Sequence, residues 1–165
     1  MLEDHAKLMT FFKQAQEVVG RKRLQKMVYI LKKCGYDFSE RYSFHFYGPY
    51  SEELSTRIEE LCNLGFLDEE REKEKGYYQY RYHLTDRGAG FLEQAEVETP
   101  DMIDVIDQMN NQSSKFLELV STMLFFDEFS KDDVEEKVRT VKSKQNYTEQ
   151  DFEEAWKFIE ELTVH

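Results

Sequence analysis

Tyr78, Tyr80 and Tyr82 recur at every second position, with Gln79, Arg81 and His83 between them. Only an extended strand places such a set on one face, because side chains alternate along a strand but wind at 3.6 residues per turn along a helix. Residues 66–72 also read as a strand, and Lys73-Glu74-Lys75-Gly76 lies between the two as a charged turn. The pattern predicts a β-hairpin over 66–84. Most of the remaining chain has helical period, so the fold class is α+β, mostly α.

Leu8, Phe11, Phe12, Ala15, Val18 and Val19 keep helical spacing, which predicts a helix over 2–19 closed by Gly20. A second helix is expected over 21–34, ended by Gly35. Leu24, Met27, Val28 and Leu31 form one face of it, and Lys22, Lys26, Tyr29 and Lys33 form the opposite one. Residues 36–41 read as a loop and 42–47 as a short aromatic strand, broken by Gly48-Pro49. Ser51 should cap a third helix over 52–64, with Leu54, Ile58 and Leu61 inward. Thr85 should cap a fourth helix running to about Glu96. Four more are expected over 101–110, 113–129, 131–144 and 149–162, with Ser130 and Thr148 as caps.

This order of three helices, a hairpin and a helix resembles a winged-helix-turn-helix domain. Ile58 to Leu67 is similar to the end of a recognition helix entering a wing. Tyr82-His83-Leu84-Thr85-Asp86-Arg87-Gly88 resembles the junction after the wing in regulators of the multiple-antibiotic-resistance and phenolic-acid-repressor types. A closer likeness covers Gly20 to Gly35 and Phe44 to Ser51, which resemble the YwgA-like proteins of Bacillus-type bacteria, a family with no established biochemical function. The same two segments also resemble Panacea-type antitoxin domains. The resemblances imply a winged-helix-like domain over 1–98. The composition shift at Thr99-Pro100 marks a helical extension over 99–165, expected to pack on that domain.

Charge is unevenly placed. The chain carries 22 basic and 34 acidic residues, net −12; residues 1–98 account for −3 and residues 99–165 for −9. Such a balance disfavours non-specific adhesion to nucleic acid, where binding comes from phosphate neutralisation. Residues 20–36 are the exception, with Arg21, Lys22, Arg23, Lys26, Lys32 and Lys33 and no acid. Two readings stand: phosphate contact through Arg21, Lys22, Arg23, Lys26 and Lys33, helped by Lys73 and Lys75 on the wing, or internal pairing with the acidic C-terminal helices. The third helix sets Glu52, Glu53, Glu59 and Glu60 against Arg57 alone, which opposes major-groove reading.

Tyr47-Gly48-Pro49-Tyr50-Ser51 reads either as a rigid turn and cap or as an aromatic partner patch using Tyr47, Pro49 and Tyr50. Residues 116–129 are apolar nearly all round, which predicts either core or a homodimer interface. His45 and His83 are expected at the surface of strands, and His5 and His165 solvated near the termini. None of the four has metal-ligand spacing, and no phosphate-binding, dinucleotide or nucleophile motif occurs, so no enzyme, metal or cofactor is expected. Cys34 and Cys62 read as small buried hydrophobes. No apolar run of about 18 residues occurs, and Glu3 and Asp4 sit where a signal would be basic. A cytoplasmic bacterial protein is expected: a winged-helix regulator associated with DNA, or an adaptor or antitoxin-like module on the same scaffold that does not bind it.

Overall fold

A computed structural model describes residues 2–163. In chain order it runs α1 (Leu2–Ala15), β1 (Val18–Val19), α2 (Arg21–Lys33), β2 (Ser43–His45), β3 (Gly48–Tyr50), α3 (Glu52–Asn63), β4 (Leu67–Glu74), β5 (Tyr77–Leu84), α4 (Asp86–Gln94), α5 (Ile103–Asn110), α6 (Ser114–Phe125), α7 (Lys131–Val141) and α8 (Glu149–Thr163). The class is α+β and mostly helical, as the sequence implies.

The first helix ends at Ala15 instead of Val19. Gln16 turns the chain at φ +67, and β1 pairs with β5, Val18 opposite Tyr82 and Val19 opposite Arg81. Gly20 prolongs the pairing by donating its N–H to Tyr80 O at 2.7 Å. Branched valines suit a strand, and the pairing covers backbone groups on one edge of β5. The expected hairpin is present, in register from Leu67 opposite Leu84 to Glu74 opposite Tyr77. The second strand has the expected bounds, while the first runs two residues further, to Glu74, so the turn shrinks to Lys75-Gly76. The three strands lie in the order β1-β5-β4.

The Leu84-Thr85-Asp86-Arg87-Gly88 junction has a steric cause. Thr85 Oγ1 accepts the Gly88 N–H at 3.0 Å and donates to Gly65 O at 2.7 Å. This joins the start of α4 to the end of α3. A Cβ at Gly88 would lie 2.3 Å from Phe66 O, so only glycine fits.

The second helix departs most from its expected form. All eight residues from Leu24 to Leu31 are buried, including Gln25, Lys26 and Tyr29. A two-faced helix was expected, but α6 packs across the second face, and β3, β1 and α5 pack against α2 as well. Lys26 and Tyr29 therefore lie inside the protein. Gln25 supports this enclosure: its Nε2 donates to Ser51 O and Ser55 Oγ, and its Oε1 accepts the Ser51 N–H. Arg23 donates to Met109 O, Asn110 O and Gln112 O at the C-terminal end of α5, and to Ser114 Oγ on α6.

The covering helix α6 is itself internal. Leu117 through Met123 are buried within the one chain, and α6 also packs on α7, α8 and β3. Of the apolar run over 116–129, Leu117, Leu119, Val120 and Met123 are thus core, while Phe116, Leu124, Phe125 and Phe126 are half-buried and Phe129 is exposed. One buried cluster contains residues from both sides of Pro100.

Gly48-Pro49 does not break a strand but forms one. β3 pairs with β2, Phe44 opposite Pro49 and His45 opposite Gly48, leaving Phe46-Tyr47 as the turn. Proline is tolerated in such a short two-stranded ribbon, where each strand has a free edge. The caps fall where expected: Ser51 accepts from Leu54 N, Ser130 from Asp133 N and Thr148 from Asp151 N.

Gly88→Ala should therefore cost about 1–3 kcal/mol or more by forced overpacking, seen as a lower denaturant midpoint. Gly90→Ala on the same helix has open space around its Cβ and should be neutral or stabilising by up to ~1 kcal/mol. Equal effects of the two would contradict the steric account.

Candidate functional site: a cationic, aromatic-walled cleft

The β2–β3 ribbon stands over the first turns of α2 and the outer side of α3, and a cleft of about 780 Å³ lies among them. Arg21, Lys22 and Lys26 contribute from α2, Tyr47, Pro49 and Tyr50 from the ribbon, and Leu54, Ile58 and Glu59 from α3. The sequence singled out the basic helix and the Tyr-Gly-Pro-Tyr stretch separately; the fold makes them two walls of one cavity.

Lys26 is the least ordinary of these groups. It is 3% exposed, and its ammonium has no hydrogen-bond partner among the described residues. Burial depresses its pKa from the usual 10.5 to about 8; the Glu118 carboxylate opposes that change, while Lys142 and Lys22 add to it. Glu118 on α6 and Lys142 after α7 form a buried ion pair at 3.2 Å. Lys142 also donates to Phe46 O at 2.8 Å, fixing the ribbon turn. Gly48 sits close above α6, where an added Cβ would be 3.2 Å from Thr122 Oγ1.

The mouth of the cleft is cationic and aromatic. The Lys22 ammonium lies 3.3 Å from the Tyr47 ring centroid. The Arg21 guanidinium lies 3.6 Å from the Tyr80 ring centroid, and its Nε donates to Tyr82 Oη at 3.2 Å. Tyr82 in turn donates to Glu69 at 2.6 Å. The His45 and Tyr50 rings are 4.9 Å apart, and Tyr50 Oη is 2.9 Å from Ser55 Oγ. Cys62 also lines the cavity, but burial, with Glu69 and Asp68 nearby, pushes its thiol up to about 11. It is therefore a poor nucleophile at neutral pH.

The other expected phosphate contacts are dispersed. Arg23 is turned toward α5, and Lys33 pairs with Asp127 at 2.6 Å. Lys73 and Lys75 are exposed at the far end of the β4–β5 hairpin, away from the cleft. Of the three expected partner residues, Tyr47 is 50% exposed, Pro49 is buried and Tyr50 is half-buried. Phe46, 81% exposed at the turn, was not anticipated. Its signal would have been the pairing of residues 43–45 with 48–50, which leaves 46–47 at a tip. Glu118 and Lys142 were missed too; a lone Glu among Leu117, Leu119 and Val120 was the available clue.

Strand pairing also gathers one acidic cluster. The ligand atoms of Asp68, Glu70 and His83 lie within 4.8 Å of one another on the outer face of the β4–β5 hairpin. All three side chains are at least partly exposed, as ordinary cross-strand charge pairs are. His45 is at the surface as expected. His5 is not: it is buried on α1 and 3.1 Å from Glu60 of α3. His165 lies outside the described residues.

No helix among the described residues is long and apolar enough to cross a membrane. No family model matches the chain. It is 57% identical over 162 residues to an uncharacterised protein, YwgA, of Bacillus subtilis (strain 168), a match covering 98% of each chain.

The Lys26 ammonium carries a measurable cost. Its folded pKa is depressed, so the native state holds its proton less tightly than the unfolded state between about 8 and 10.5. Stability contributed by this group rises with pH through that window and is lost as pH falls through about 8. Lys26→Met should therefore stabilise the protein at pH 7 by roughly 3 kcal/mol. The advantage should shrink as pH climbs toward 10.5. Denaturant melts across pH test this; destabilisation by Lys26→Met at pH 7 would contradict it.

Proposed function

The chain belongs to the YwgA-like family, and on that premise we propose that it is a regulatory adaptor on a winged-helix scaffold that works by protein contact without reading DNA. The scaffold reading is supported by the order α1, β1, α2, β2, β3, α3, β4, β5 with β1 paired to β5; apart from the β2–β3 ribbon inserted between α2 and α3, α3 stands where a recognition helix stands and β4–β5 where a wing stands.

The observation that carries the adaptor reading is the commitment of the basic helix to internal partners. Arg23 is bound to α5, Lys26 is buried, Lys32 donates to Glu40 O and Lys33 pairs with Asp127. Arg21 is held by Tyr82 and Glu69. Counterion release needs cations free to meet phosphate, and few are left. The surfaces that would face a duplex are acidic: α3 presents Glu52, Glu59 and Glu60, and β4 presents Glu69, Glu70 and Glu74. Arg57, the one base on α3, is enclosed by Asp4, Glu40 and Glu53. For a protein partner one available surface is the Phe46-Tyr47 tip, whose rings meet edge to face at 5.2 Å and which carries Phe46, the most exposed large apolar side chain among the described residues. Rigid exposed aromatics of this kind suit interface cores.

Fluorescence anisotropy with labelled genomic fragments at low salt tests the reading. No saturable binding is expected. Binding that weakens with salt at a log–log slope of roughly −3 to −5, and is lost when Lys22, Lys73 and Lys75 are replaced by Glu, would overturn it. In cells, a photo-crosslinking residue at position 46 should give a discrete protein adduct, while one at the exposed Lys144 should not.

A further inference from the structure

We propose that the cleft between the β2–β3 ribbon and helices α2 and α3 binds a small organic monoanion with a planar apolar body, its carboxylate seated against the Lys26 ammonium. The assignment rests on the cleft alone and stands whether the protein's macromolecular partner is a protein or DNA.

The first argument is charge balance. Lys26 and Lys142 are buried around a single carboxylate, Glu118. Glu118 is hydrogen-bonded to Lys142, which leaves Lys26 without a direct partner among the described residues. Buried charges are ordinarily paired, because removing an ion from water costs several kcal/mol even after relaxation. The remaining acids on the cleft wall do not fill the gap. Glu69 is taken by Tyr82 and Arg21, and Glu59 is exposed on α3. The interior here is one negative charge short, and a single carboxylate would supply it.

The second argument is shape. Lys26 lines the cavity. At about 780 Å³ the cavity lies within the ordinary range for small-molecule sites. Its remaining wall is lined by the aromatic and aliphatic residues Tyr47, Tyr50, Pro49 and Leu24, which suits an apolar body. The third argument is cost. A methionine at position 26 could fill the same space without burying a charge, so the lysine works against stability. Violations of this kind mark functional sites.

The test uses the full-length protein and 2-naphthoate as probe, with its neutral counterpart 2-naphthalenemethanol and inorganic phosphate alongside, by calorimetric titration at pH 7. Naphthoate is expected to bind at least about tenfold more tightly than the alcohol, a difference of roughly 1.4 kcal/mol. Lys26→Met, with its fold checked by circular dichroism, should bind the two compounds alike. Tyr50→Ala should weaken both together. Phosphate should bind weakly or not at all, since it lacks the apolar body. Equal affinity of the wild type for naphthoate and the alcohol would overturn the proposal. So would naphthoate binding that survives Lys26→Met, phosphate binding tighter than naphthoate, or no naphthoate binding at millimolar concentration.

Discussion

Eight consecutive residues of α2, Leu24 to Leu31, are buried, and eight residues pass twice around a helix. A helix enclosed in every direction cannot rely on a single partner face, and the rest of the architecture follows from that. β1 and β3, which pack on α2, belong to the segment before Pro100, yet α5 and α6, which complete the enclosure, belong to the segment after it. The acidic extension is thus part of the core. Each fully buried Leu, Ile or Val contributes roughly 1.5–3 kcal/mol of transfer free energy, and α6 supplies part of the surface against which those of α2 are buried.

Enclosure brings polar groups inside with the apolar ones, and their satisfaction fixes how the pieces sit. Gln25 binds both the backbone and a side chain at the start of α3. Arg23 gathers the carbonyls of Met109, Asn110 and Gln112 at and just beyond the end of α5. Tyr42 Oη donates to Gln25 O, and Lys142 holds the ribbon turn through Phe46 O. Against this pattern Lys26 stands out, buried at the edge of a cavity with its ammonium unmatched. The same enclosure that ties Arg23 and Lys33 to internal partners and buries Lys26 also creates the cleft.

What the sequence made legible is what depends on near neighbours in the chain. The caps at Ser51, Thr85, Ser130 and Thr148 are bonds across three residues, and each formed. The inward positions of α3, Leu54, Ile58 and Leu61, follow from one face meeting one core. The same reasoning failed on α2 because a helical projection assumes one buried side. Nothing near Lys26 or Tyr29 in sequence announces that α6, some ninety residues later, will lie across them. Val18 and Val19 fitted a helical period and a strand equally well, and the free edge of β5 decided between them. The cleft required the β2–β3 pairing, which Gly48-Pro49 disguised as a break. The Asp68, Glu70 and His83 cluster likewise depends on strand register.

The central claim is that α2 is enclosed with an unmatched ammonium inside. Lysine ε-carbons enriched in carbon-13 report each ammonium separately by nuclear magnetic resonance, and Lys26→Arg assigns the signal. A Lys26 titration midpoint at about 8 is what the enclosed helix requires. A midpoint at the ordinary 10.5 would place Lys26 in solvent, and with it both the covered helix and the cleft built on it would fail.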